Sequence, residues 1–269
     1  MTRAIRLLAG FAIALFLVAP LLVILPLAFT SSVFLSYPIP SFSMRWFDEL
    51  LMSEAWRRSI INSIIIGSGT VILATVLGTL SAMGLRSQPM FSNLIRVLFL
   101  LPLVVPAVVL GVGMQIFLSK LGLANTYPGV IIAHTVVSVP LVLVTVSTSL
   151  HGIDARIERA AASLGASPAV VFRRITLPLA APGILAGAVL AFATSLDEVV
   201  LTLFVAGPNQ RTLARQMFST LRENVSPAIA AAAFVIIIGT LVLIIALAAM
   251  RKAIRPDSGR AKFADQGSR

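Results

Sequence analysis

Two adjacent acids, Asp197 and Glu198, interrupt an apolar run, with Ala-Phe-Ala-Thr-Ser-Leu before them and Val-Val-Leu-Thr-Leu-Phe after. A carboxylate inside a membrane span is costly and is retained when it faces a partner charge or a watery pathway. Ser195, Asp197 and Glu198 are therefore candidates for a substrate pathway. Neighbours on a helix point about 100° apart, so at most one acid faces such a path, and Asp197 is favoured. The competing expectation is a salt bridge to Arg211 or Arg215. Other chemistry is sparse. With no cysteine and two histidines, disulfides, thiolate metal sites and a cysteine nucleophile are excluded, and neither metal nor cofactor is expected. His134 lies in an apolar stretch and is expected to be a hydrogen-bonded packing residue; His151 marks a span end. Lys120, Lys252 and Lys262 are the three lysines, none set in a G-x-x-x-x-G-K-[ST] phosphate loop. Any ATP hydrolysis belongs to another chain. Thr194 to Glu198 ends in Asp-Glu like a nucleotide-binding strand, but without a phosphate loop that likeness carries no weight.

The second cluster runs from His151 to Pro178. Asp154 is a good N-cap, and Ile153, Ile157, Ala161 and Leu164 recur at helical spacing, which predicts a short amphipathic helix. Gly165 supplies its stop through a left-handed conformation. Ser167 and Pro168 then start a second helix, with serine as N-cap and proline at the first helical position. Pro178 ends that segment or kinks it into the next span, because proline has no amide hydrogen to donate. The expected form is helix, turn, helix.

Here the sequence resembles the permease subunits of ABC importers, whose cytoplasmic loop reads Glu-Ala-Ala, three residues, Gly, nine residues, Ile, one residue, Leu-Pro. Ala160, Ala161, Gly165, Ile175, Leu177 and Pro178 fall on that pattern; Arg159 stands at the glutamate position, with Glu158 one residue earlier. The resemblance implies that Glu158 to Ala161, Gly165, Ile175, Leu177 and Pro178 dock an ATPase, with shape and packing replacing the glutamate's ion pair. It further implies two ATPase subunits, a periplasmic or lipid-anchored solute-binding protein, and a second homologous permease in a heterodimer. Ser195 to Asp197, Phe204, Gly207-Pro208, Thr212-Leu213, Ser219, Arg222 and Pro227 resemble the spermidine/putrescine branch, although Ala214 stands where branch members often have proline. That branch implies a polyamine cargo. Its look-alikes carry phosphonates, opines or amino-acid-like solutes, and an ion-coupled secondary transporter or a membrane scaffold are the competitors from other classes.

The elements that must position these residues are membrane helices. Hydrophobic residues make up 58% of the 269, charged residues 12%, and mean hydropathy is +1.00, which no soluble domain of this length sustains. Six apolar stretches are long enough to cross a bilayer: Leu7 to Phe29, Ser59 to Leu85, Val97 to Leu118, Gly129 to Leu150, Leu179 to Val205 and Ala228 to Met250. The fold class is an all-α integral membrane protein with six transmembrane helices, and the resemblance implies the type I ABC importer permease fold. Residues 1–58 form an anchor helix and an external loop, 59–250 a five-helix transport core containing the docking loop 151–178, and 251–269 a disordered basic tail. The first stretch is read as a retained anchor, since its apolar run exceeds that of a signal peptide. With the N-terminus cytoplasmic, 14 of 21 lysines and arginines lie inside, which places both termini in the cytoplasm of a bacterial inner membrane. The net charge of +11 is accounted for by that bias and does not point to nucleic acid; membrane lipid is the expected surrounding. Between Ser31 and Arg58 a short helix near Met44 to Leu51 is expected, with Trp46 and Trp56 as interfacial anchors. Gly67, Gly69, Gly78, Gly111 and Gly113 are expected to permit close helix packing.

Overall fold

A computed structural model describes residues 2–87 and 90–254. It consists of helices α1 (Thr2–Leu27), α2 (Arg45–Met52), α3 (Glu54–Arg86), α4 (Ser92–Leu100), α5 (Ala107–Lys120), α6 (Tyr127–His151), α7 (Ala155–Ser163), α8 (Pro168–Val171), α9 (Leu177–Asp197), α10 (Val200–Val205), α11 (Leu213–Glu223) and α12 (Ala228–Ile254). Among the described residues five helices are long and apolar enough to cross a membrane, and α4 with α5 forms an apolar bent pair, a broken sixth span or a re-entrant loop.

The centre is a bundle of α3, α6 and α9, and the residues that meet along its seams run in the same order on α3 and α6 and in the opposite order on α9. Glycine sets its spacing. A methyl group on Gly67 would come within 2.8 Å of the Phe192 ring, one on Gly69 within 2.7 Å of Ile131, and one on Gly78 within 2.6 Å of Val142. Helices that lack a hydrophobic driving force between them associate through such close backbone approach. Gly111 packs in the same way against Phe204, whereas Gly113 faces open space, so the expectation fails at that one position. Gly183 and Gly187 on α9, spaced as Gly-x-x-x-Gly, complete the seam against Ser149, Thr145 and Val142 of α6.

The sequence predicts a third span over Val97 to Leu118, and the structure places a sharp bend within it. Pro102 sits in a tight 3-10 turn (Leu101–Leu103), Pro106 adopts an extended conformation before α5, and the two arms meet at 99°. Two prolines four residues apart remove two backbone donors and force the break. The fifth span also differs. It is helical from Pro168 to Asp197, continuous through a wide π turn at Phe172–Thr176, and then breaks before α10. Pro178 neither ends nor sharply kinks it, because the π turn rearranges the hydrogen bonds just where proline cannot donate one.

Trp46 and Trp56 are 7% and 5% exposed, so they are not bilayer anchors. They pack in a cluster with Leu27, Leu50, Leu213 and Ala230 to Ala232, and the Trp46 indole donates to the Ser32 carbonyl at 3.2 Å. Helix α1 is exposed along its apolar length and touches α12. Helix α12 runs on to Ile254, so residues 251–254 of the expected disordered tail are helical; the rest of that tail lies outside the described residues.

Candidate functional site: a docking element and a broken helix

At one end of the bundle, α7 begins on Asp154, whose carboxylate accepts from the Arg156 amide at 2.9 Å. It ends on Gly165 at φ +86°. The Gly165 amide donates to the Ala162 carbonyl and the Ala166 amide to the Ala161 carbonyl, the paired bonds of a glycine-closed helix end. Pro168 opens α8 as expected; the Ser167 side chain makes no capping bond, and its carbonyl instead accepts from Val170 and Val171. Neither α7 nor α8 buries a single residue, and Leu164 at the tip is 89% exposed. Of the apolar face expected here, Ile153 is buried in the body and Ile157 is 48% exposed. The element is a finished helix, turn, helix with an uncovered surface.

Glu158 does not point outward with that surface. Its carboxylate accepts from Arg86 Nη1 at 2.7 Å and from the Thr176 hydroxyl at 2.6 Å, while Arg86 also reaches the Ile153 carbonyl. Burial alone would push this carboxyl up; the Thr176 hydroxyl and the Arg86 guanidinium together outweigh it and hold the group below its usual range. Arg86 and Thr176 escape sequence reasoning, since each lies outside the loop's helical periodicity. Arg159, Ala160, Gly165, Leu177 and Pro178 are exposed, Ala161 and Ile175 partly so. A cleft of about 600 Å³ lies between α7, α8 and the end of α3, lined by Met83, Arg86, Glu158, Arg159 and Phe172.

Around the expected pathway acids, the helix ends at Asp197, so the 100° separation argued for an unbroken helix does not apply. Asp197 is exposed at that end. The Glu198 carboxylate turns back and accepts from the Leu201 amide at 2.9 Å, capping α10. Ser195 is 2% exposed and does not face open space. Its hydroxyl lies 2.8 Å from His134 Nδ1, and the other ring nitrogen lies 2.9 Å from the Thr202 hydroxyl. The Thr202 hydroxyl also lies 2.9 Å from the Glu198 carbonyl, so the imidazole sits in a buried chain of hydrogen bonds that runs from Ser195 to Glu198. His134 is thus the packing residue expected, and it ties α9 to α10 across the break. Arg215 caps the far end of α10 by donating to the Thr202 and Ala206 carbonyls, and Arg211 donates to Gln216. Neither arginine forms a salt bridge to Asp197 or Glu198.

Nearby, Asn62 donates to the Asn209 and Arg211 carbonyls, both at 2.9 Å, and accepts from the Tyr127 hydroxyl at 2.7 Å. This lone amide in the apolar run Ile-Ile-Asn-Ser-Ile-Ile-Ile was a legible signal. It fixes a cavity of about 410 Å³ lined by Glu54, Arg58, Asn62, Arg211 and Gln216.

Residues 74–259 match the family model described as "Binding-protein-dependent transport system inner membrane component". The chain belongs to this family. It is the permease subunit of an ABC importer, a multi-pass inner-membrane protein. It is 31% identical over 240 residues to the spermidine/putrescine transport system permease protein PotC of Escherichia coli (strain K12), covering 87% of this chain and 89% of that one. It is 35% identical over 243 residues to the putrescine transport system permease protein PotI of the same strain, covering 87% and 85%. The molybdenum transport system permease protein ModB of Mycobacterium bovis is 32% identical, covering 81% and 90%. Among solved structures, a bacterial ABC transporter involved in the import of the acidic polysaccharide alginate superposes with a TM-score of 0.74 at 16% identity, covering 95% and 96%. The MetNI methionine ABC transporter gives 0.64 at 17% identity, covering 76% and 100%. These likenesses show the type I importer permease fold.

Proposed function

We propose that this permease subunit carries a polyamine-type cation inward, driven by a separate ATPase docked on α7 and α8. The observation that carries the docking half is the finished helix-turn-helix with nothing covering it, Leu164 foremost. Two ATPase subunits, a solute-binding protein at the opposite end and a second permease in a heterodimer complete the working assembly. The excess of arginine at the α7 end supports a cytoplasmic position for it and for both termini. Closure of the ATPase pair moves α7; Glu158 passes the movement to α3 through Arg86 and to α9 through Thr176, and the bundle rocks about its glycine seams.

The cargo half rests on the similarity to the PotC and PotI permeases and on Asp197, exposed where α9 stops, as a counter-charge for ammonium groups. A second reading, an oxyanion cargo, is favoured by Arg58 and Arg211 at the 410 Å³ cavity and by the similarity to ModB. Uptake into proteoliposomes holding the full assembly separates them. Accumulation of labelled putrescine or spermidine that requires ATP and resists competition by molybdate is the expected result; uptake of molybdate instead would replace the polyamine reading, and uptake driven by an ion gradient without ATP would remove the ATPase.

A further inference from the structure

The docking element carries a charge pattern that specifies its partner. Two acids lie in it, and both are spent. Glu158 is turned inward and neutralised by Arg86, and Asp154 caps α7 and pairs with the neighbouring Arg156 at 2.9 Å. Arg159, Arg173 and Arg174 are exposed, and among the described residues none lies in a salt bridge. These cations flank the uncovered apolar side chains Ile157, Leu164 and Val170, which are 48%, 89% and 40% exposed. A partner that covers the apolar residues also desolvates the guanidinium groups, which is unfavourable unless opposite charges meet them.

Resting on the docking reading above, we propose that α7 and α8 seat in an ATPase groove lined with carboxylates, with Arg159 and the Arg173-Arg174 pair as the contact cations. Complementary charge then selects this ATPase and speeds its encounter. Anionic lipid is the weaker occupant: the nine-residue α7 and the Leu164 that follows it offer only Ile157 and Leu164 as large exposed apolar side chains, too little to hold the element in a bilayer surface.

The test uses the full-length permease in detergent and the ATPase subunit that co-purifies with the wild type, rebound after separation. Arg159→Glu and the double change Arg173→Glu with Arg174→Glu should each weaken binding about tenfold or more and flatten its dependence on salt. Reversing one groove carboxylate to lysine should restore binding to Arg159→Glu. Retention of wild-type affinity and salt dependence by both charge variants, each with unchanged thermal stability, would overturn the proposal. So would unchanged ATPase affinity accompanied by lost binding to phosphatidylglycerol-rich vesicles, which would assign the arginines to lipid. Gly165→Val separates the two levels: if it loses ATPase binding while the charge variants keep it, the docking reading stands and the charge proposal falls; if it too keeps binding, the docking reading falls with it.

Discussion

Arg86 closes α3 and Glu158 sits in the middle of α7, yet their side chains meet at 2.7 Å, 24% and 22% exposed. Such a pair is worth more than the more exposed pair Asp154–Arg156, where water screens the charges. Removing Arg86 and Glu158 singly and together should give a coupling of about 1–2 kcal/mol in thermal or denaturant unfolding. Additive effects would show that the pair does not hold α7. Because the folded carboxyl lies below its usual value, the contribution is present at neutral pH and disappears as pH falls through that depressed value. Glu158→Gln should remove this acid-side loss.

Gly165 illustrates a different kind of constraint. No atom lies within 4 Å of where its Cβ would be, yet φ is +86°, so a side chain there meets backbone strain of about 1–2 kcal/mol rather than a clash. Gly165→Val should abolish ATP-dependent uptake with the protein still in the membrane, and Gly165→Asn should keep much of it, since asparagine tolerates the left-handed region. Equal uptake by both variants would show that the turn is not what the partner reads.

His134 joins α6 to both sides of the α9–α10 break. His134→Phe leaves the Ser195 and Thr202 hydroxyls without their imidazole partner in a fully buried site, at about 1–3 kcal/mol per buried group. A clear fall in melting temperature in detergent is expected, partly recovered by His134→Gln. No fall would mean that the break is held by the Glu198 and Arg215 caps alone.

Asp197→Asn should weaken uptake of a polyamine several-fold while leaving stimulated ATP hydrolysis intact, because the residue is exposed and distant from α7. Unchanged uptake would remove it from the pathway.

Packing yields the last contrast. Gly111→Ala must displace the Phe204 ring, whereas Gly113→Ala meets nothing within 4 Å. Thermal stability should drop in the first and stay within about 0.5 kcal/mol of wild type, or rise, in the second.

Much of this was legible in the sequence because the signals are local. Asp154, Gly165 and Pro168 state their roles through cap and turn chemistry, and the five long candidate spans follow from apolar length. The α4–α5 bend was written in Pro102 and Pro106, but apolar length cannot distinguish a straight crossing from a folded one. The inward turn of Glu158 was invisible, since its partners lie 72 and 18 residues away in the chain. Trp46 and Trp56 looked like interfacial anchors because composition says nothing about whether α11 and α12 cover them. At Glu198 the capping of α10 required knowing that α9 stops one residue earlier.

The wide turn at Phe172–Thr176 also acts as a phase offset between two mechanical parts. One extra residue per turn rotates everything beyond it by about 100° relative to an unbroken α-helix. Upstream, α8 stays aligned with the docking tip; downstream, Gly183 and Gly187 stay aimed at α6. Loss of one residue there would barely alter hydropathy or length, yet it would turn one of these faces away from its target, so this short stretch is a clock setting that the rest of the chain depends upon.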